Sequence, residues 1–176
     1  MKKENMNNRE TIERVEKTLT RHFRKTRTTE RLRGQHQRVK SRIDNIRDDM
    51  KNCNYDLNTD LRGIHYENTP TKTLYKSSAI EGELMRVAER LEDELYECTE
   101  QKYDINKQIR DLEIEIGEVE YVFDQLEEED MELIQLRYGK EMTFREIANR
   151  MLIDSSTAKR KKDKLLIYLA TEFGYH

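Results

Sequence analysis

The side chains best suited to chemistry crowd near the C-terminus. Lys159, Arg160, Lys161, Lys162 and Lys164 fall on one short stretch, with Ser155 and Ser156 just before it. Arg160, Lys161 and Lys164 are of the kind that attract phosphates in a salt-dependent way. From Arg137 to Lys164 nine basic residues face four acidic ones, a local excess of five positive charges. A lysine such as Lys159 is a flexible donor, and the short hydroxyls of Ser155 and Ser156 can donate or accept. Grouped like this, such residues recognise a polyanion.

Bond-making chemistry has no comparable cluster. His22, His36, His65 and His176 share no metal-ligand spacing with acids or cysteines. There is no P-loop, no G-x-S-x-G and no glycine-rich phosphate cradle. The acidic run Glu127–Asp130 sits where carboxylates favour the start of a helix. The expectation is a protein that is not an enzyme and uses no cofactor and no metal.

The elements that must position the basic cluster are written between Leu126 and Leu169. Met131, Ile134 and Tyr138 form one helical stripe, flanked by Leu133 and Leu136, and Gly139 stands where a left-handed C-cap would end that helix. Thr143-Phe144-Arg145-Glu146 reads as a capping box opening a short helix with Phe144, Ile147, Ala148 and Met151 on its apolar face. Leu152, Ile153 and Asp154 make the connection, and Asp154 or Ser155 is the next N-cap. The last helix is predicted from about Ser156 to Leu169. Short helix, tight turn and basic helix together are the pattern of a helix-turn-helix.

The same residues carry a resemblance. The run from Leu133 to Leu166 resembles the C-terminal, promoter-reading domain of bacterial sigma factors. Leu136-Arg137-Tyr138-Gly139 is similar to the end of the family's preceding helix. Thr143 to Ala148 resembles its supporting helix, and Ile153 with Thr157-Ala158-Lys159 resembles the start of its recognition helix. A long helical part ahead of this domain resembles the layout of small sigma-like late-gene regulators of phages, the ArpU and RinA type. The resemblance implies that Ser155, Ser156 and Lys159 read base edges and that Thr143 and Lys164 grip phosphates. It implies double-stranded DNA and bacterial RNA polymerase as partners. Two positions depart from the family pattern. Leu152 stands where a turn glycine is usual, leaving open a turn that differs by one residue. Lys162 falls on the inner stripe of Ala158, Leu165 and Leu169, where its charge must snorkel outward and weaken the packing.

Composition supports an all-α chain. Of 176 residues, 39% are charged and 35% hydrophobic, with no Trp, one Pro and six Gly. That suits long amphipathic helices with narrow seams rather than a large core. No apolar run approaches the roughly 20 residues of a membrane span, and no signal peptide opens the chain, so no membrane partner is expected. The two cysteines, Cys53 and Cys98, suit a reduced, cytosolic setting, and the resemblance implies the cytoplasm of a bacterial host.

Two domains are expected: a long antiparallel helical hairpin, a coiled coil, over 1–126, and the helix-turn-helix domain over 127–176. In the first helix Leu32, His36, Val39, Ile43, Ile46, Met50, Cys53 and Leu57 alternate steps of four and three. Between Phe23 and Leu32 the apolar stripe lapses, so a kink or break is open there. A loop is expected over about 54–77. From Leu84 a second heptad stripe runs to Leu126, with Lys102 its polar interruption. Charge selects the pairing: Arg21–Arg42 carries a net +8 and Glu81–Glu132 a net −15, so the acidic helix suits the basic one better than a copy of itself. A turn near residue 69 would place Leu32 near Ile105, Val39 near Cys98 and Ile46 near Leu91, with His36 level with Lys102. The basic stretch 21–42 is alternatively a second nucleic-acid surface.

The expected function is a phage-type sigma-like transcriptional regulator that binds promoter DNA and acts with host RNA polymerase on late genes. A helix-turn-helix DNA-packaging subunit and a coiled-coil adaptor remain alternatives, and a homodimer is left open.

Overall fold

The computed structural model describes residues 2–52 and 72–175, with side chains described over 9–52 and 81–175. Among these residues the regular structure is all helical: α1 (Lys2–Asn52), α2 (Lys72–Phe123), α3 (Glu128–Ile134), a π-helical turn (Gln135–Gly139), α4 (Phe144–Met151) and α5 (Ser155–Glu172). None of the described helices is long and apolar enough to cross a membrane.

Four features differ from the sequence-based expectation, one of them the end of α5, which runs to Glu172 rather than Leu169. α1 passes unbroken through the segment where the stripe lapses. The inward positions there are taken by His22 and Thr29, which are 5% and 3% exposed, so polar residues carry the stripe. The hydroxyls of Thr26 and Thr28 donate to the carbonyls of His22 (3.1 Å) and Arg24 (2.9 Å), a bond threonine makes inside a helix without ending it. α2 begins at Lys72, inside the segment expected as a loop, and ends at Phe123 rather than at Leu126. The rest of the expected loop, with Cys53 and its place in the register, lies outside the described residues.

The chain divides into two compact units, Leu32–Gln108 and a second formed by Met1–Arg31 with Ile109–His176. In the first, Ile43, Ile46 and Cys98 are buried together, with Val39, Met50, Leu91 and Leu95 packed against them. The Arg42 Nε donates to Glu94 Oε1 at 2.7 Å, and Leu32, Val39 and Ile105 line one groove. These contacts set α1 and α2 antiparallel in the expected register. They also join a basic side chain to an acidic one, as the charge partition requires.

In the second unit Val15 and Leu19, both fully buried, share one core with Phe123, Leu133, Leu136, Ile147, Leu166 and Leu169. The start of α1 is therefore part of the core that holds α4 and α5. His22 sits edge-on to Phe23 (centroids 5.1 Å apart) and Phe123 (5.0 Å), and its Nδ1 has no hydrogen-bond partner. Burial, helped by the nearby Lys25 charge, holds the imidazole below its ordinary value of 6.5. The unfolded chain then takes up a proton that the folded state resists. Stability is full above about pH 6.5 and falls as pH drops through the lowered folded value. In urea denaturation at pH 7.5, 6.5 and 5.5, His22→Leu is expected to lose a measurable part of the acid-side slope shown by the parent. Identical slopes would rule out the buried neutral imidazole.

Candidate nucleic-acid interface

The approach to α4 is built from the residues just before it. The π-helical turn closes with Lys140 N–H on the Gln135 carbonyl (2.9 Å), and Met142 N–H bonds the Leu136 carbonyl (3.0 Å). The left-handed residue that follows is Glu141 (φ 56°), not Gly139, which corrects the expected C-cap. Gly139 instead packs close to a neighbour: a Cβ there would lie 3.2 Å and 3.3 Å from carbons of the Phe23 ring, tight enough that the ring must shift. Arg137 donates to the Met142 carbonyl at 2.9 Å and lies 4.8 Å over the Phe144 ring, tying the loop to the first residue of α4.

Thr143 and Glu146 form the capping box. The Thr143 Oγ1 accepts from Glu146 N–H (3.4 Å), while Glu146 Oε2 accepts from Thr143 N–H and hydroxyl, both at 2.7 Å. The hydroxyl and backbone bonds from Thr143 lower the Glu146 carboxyl below its ordinary value. Thr143 is exposed at the mouth of α4, but its hydroxyl proton is already given to Glu146. A phosphate there competes with the cap.

The connection to α5 is the expected three residues, Leu152, Ile153 and Asp154. Leu152 adopts the left-handed conformation itself (φ 54°, ψ 42°), with its side chain 90% exposed. Such a residue costs about 1–2 kcal/mol for a side chain with a Cβ. Ile153 N–H bonds the Ala148 carbonyl at 3.0 Å, which closes the turn. Asp154 takes the N-cap position of α5 without a side-chain cap bond.

α5 has two surfaces. Ala158, Leu165, Leu166, Leu169 and Ala170 are buried. Ser155, Ser156, Lys159, Arg160 and Lys164 are exposed, and the first four share the first turns of the helix. Arg160 donates to the Thr157 hydroxyl at 3.4 Å, while Lys159 and Lys164 have no ion-pair partner among the described residues. Lys161 is set apart from this stripe. It pairs with Glu129 and, with Lys164, borders a groove of about 480 Å³ whose other wall includes Glu127, Glu129 and Asp130. Burial, reinforced by Glu127, raises the Asp130 carboxyl. The structure thus brings Ser155, Ser156, Lys159 and Arg160 together, turns Lys161 toward acids, and sets Thr143 on α4.

Lys162 corrects the snorkelling expectation. Its side chain is 13% exposed, with Nζ 2.9 Å from Glu16 Oε1 and 3.0 Å from Asp163 Oδ1. Burial alone would lower this ammonium, but the bonds from Glu16 and Asp163 leave it raised. Tyr138 donates to the same Glu16 oxygen at 3.2 Å, and burial together with the Glu16 charge pushes its hydroxyl up. Glu16 therefore joins α1, the π-helical turn and α5 at one point. Its signal in the sequence was an acid one turn after Ile12 on the apolar stripe. Lys140 and Arg145, exposed and without ion pairs among the described residues, add positive charge near the start of α4 that the sequence reading did not single out.

With this geometry in view, comparison with known proteins adds one finding. Residues 122–166 match the family described as sigma-70, region 4. The matched segment runs from the end of α2 into α5 and takes in α3, α4 and the first twelve residues of α5. It supports a promoter-reading, DNA-binding helix-turn-helix with a transcription-related function over about a quarter of the chain. No curated protein and no solved structure matches the chain.

Two stability measurements check how the site is held. Glu16→Ala is expected to cost about 2 kcal/mol, because Lys162 keeps a largely buried charge with Asp163 alone. Adding Lys162→Met should recover more than half of it, and a purely additive double variant would refute the coupling. Gly139→Ala is expected to cost about 1–3 kcal/mol by overpacking. Phe23→Leu in the same chain should relieve part of that loss, and no relief would deny the steric role.

Proposed function

We propose that this chain is a sigma-like transcriptional regulator that binds promoter DNA through α5. Residues 127–176 act as the DNA-binding part, their core completed by the start of α1, and the rest of 1–126 acts as a helical arm. The observation that carries the reading is the exposed first-turn stripe of α5, Ser155, Ser156, Lys159 and Arg160, inside the segment that matches sigma-70 region 4. A helix presenting its N-terminal turns in this way fits the major groove. Lys159 then lies toward a guanine edge, Ser155 and Ser156 toward base edges or phosphates, and Arg160 and Lys164 toward the backbone.

The acidic wall opposite Lys161 gives the docking a direction. Glu127, Glu129 and Asp130 repel phosphates, so the duplex approaches α5 from the stripe side, and Lys161 serves the phosphates only by leaving Glu129. The base-facing residues at the helix start are small apart from Lys159, so direct readout is modest. That suits a protein brought to its promoter by a partner. The sigma-like segment favours bacterial RNA polymerase as that partner, and the helical arm ahead of it favours a phage late-gene regulator of the ArpU and RinA type.

Selection of bound fragments from host and phage genomic DNA, with and without RNA polymerase, tests the reading. Enrichment of one late promoter that depends on polymerase is expected; fragments without common sequence in both arms would sink it. On the selected duplex, Lys159→Ala should weaken binding by about 1–3 kcal/mol and relax preference at one base pair. Lys164→Ala should weaken all duplexes alike and reduce the salt slope by about one.

A further inference from the structure

α2 carries a second ordered pattern that the packing of the chain leaves unused. Met85, Tyr96, Tyr103, Ile114 and Tyr121 are 64%, 69%, 62%, 68% and 71% exposed. Their spacings alternate between eleven and seven residues. At 3.6 residues per turn each step returns to within about 20° of the same direction. They form one stripe, on the far side of the helix from the buried Cys98, Ile105 and Ile109. Scattered exposed apolar residues are ordinary, but a row of five on one helix face marks a surface that something covers.

Four charged residues lie on the same stripe: Glu89, Glu92, Lys107 and Arg110. All are exposed, and none has an ion-pair partner among the described residues. Their order along the helix is what identifies the partner. Counted from the point between Thr99 and Glu100, Tyr96 and Tyr103 lie equally far on either side. So do Glu92 and Lys107, Glu89 and Arg110, and Met85 and Ile114. A copy of the helix turned about a two-fold axis through that point sets tyrosine against tyrosine, acid against base, and Met85 against Ile114. Every pair then occurs twice, as an isologous contact requires. A parallel pair would instead set Glu89 against Glu89 and Lys107 against Lys107. Sliding the antiparallel pair by one heptad would bring Glu92 to Glu100 and Met85 to Lys107.

We infer that this face of α2 is an interface between two copies of the chain, antiparallel and centred between Thr99 and Glu100. The paired stripe is about 44 Å long at 1.5 Å rise per residue. An acidic edge of Asp93, Glu97, Glu100, Asp104, Asp111 and Glu118 runs beside it, with the two copies of Glu100 nearest the axis, and opposes association. The pair is therefore reversible, and the register is set by the side chains that attract. The inference does not depend on DNA binding and is tested without DNA.

Sedimentation of the full chain from about 1 to 200 µM is expected to show its mass rising from one chain toward two. A single-chain mass throughout overturns the proposal. Lys107→Glu alone and Glu92→Lys alone should each weaken the pair tenfold or more by placing like charges opposite. The double variant E92K/K107E should return to within about threefold of the parent, since the two-fold register then pairs opposite charges again (a tenfold change is 1.4 kcal/mol). Failure of the singles to weaken, or of the double to recover, overturns the register. Tyr96→Glu with Tyr103→Glu should leave only single chains, with the helical circular dichroism unchanged because both positions are exposed; a persistent pair counts against the stripe.

Discussion

Val15 and Leu19 close the core on which the helix-turn-helix stands. α4 has eight residues, of which only Ile147 and Ala148 are buried, and α5 has one apolar side, too little to bury a core without a further wall. α1 supplies it with two residues that are wholly shielded from water, each contributing about 1.5–3 kcal/mol by burial. Between them Glu16 meets the Lys162 ammonium and the Tyr138 hydroxyl. One turn of the first helix thus fixes both the apolar packing and the charge balance beneath α5, and the outward direction of Lys159 and Arg160 follows from it.

Charge is distributed by the same logic. Buried or half-buried cations find carboxylates, as Lys162 does with Glu16 and Lys161 with Glu129. The cations left without partners, Lys140, Arg145, Lys159 and Lys164, are exposed around α4 and α5. Exposed ion pairs add little to stability, so the free cations cost the fold little and remain open to phosphate. Glu127, Glu129 and Asp130 shield one flank of α5, a restriction that a count of net charge cannot reveal.

Much of this was legible from local pattern. The Thr143–Glu146 box, the apolar face of α4, the inner stripe of α5 and the antiparallel pairing of Val39, Ile46, Leu91 and Cys98 all rest on helical period and on caps spanning four residues. What escaped were positions where the environment outweighs residue type. A glycine marked the end of a helix, yet Glu141 and Leu152 take the left-handed conformations while Gly139 makes room for Phe23. His22 and Thr29 looked like an interruption, yet they are buried as members of the stripe.

By itself the sequence determined the helices, the helix-turn-helix pattern and the opposed charges of α1 and α2, because each is encoded in residues within a turn or a heptad of one another. Only the tertiary structure decided that the beginning of α1 completes the C-terminal core, that Lys162 is neutralised rather than turned outward, and that Lys161 faces acids instead of the open stripe. The reason is separation: Glu16 and Lys162 stand 146 residues apart, and no local period carries the information that they meet.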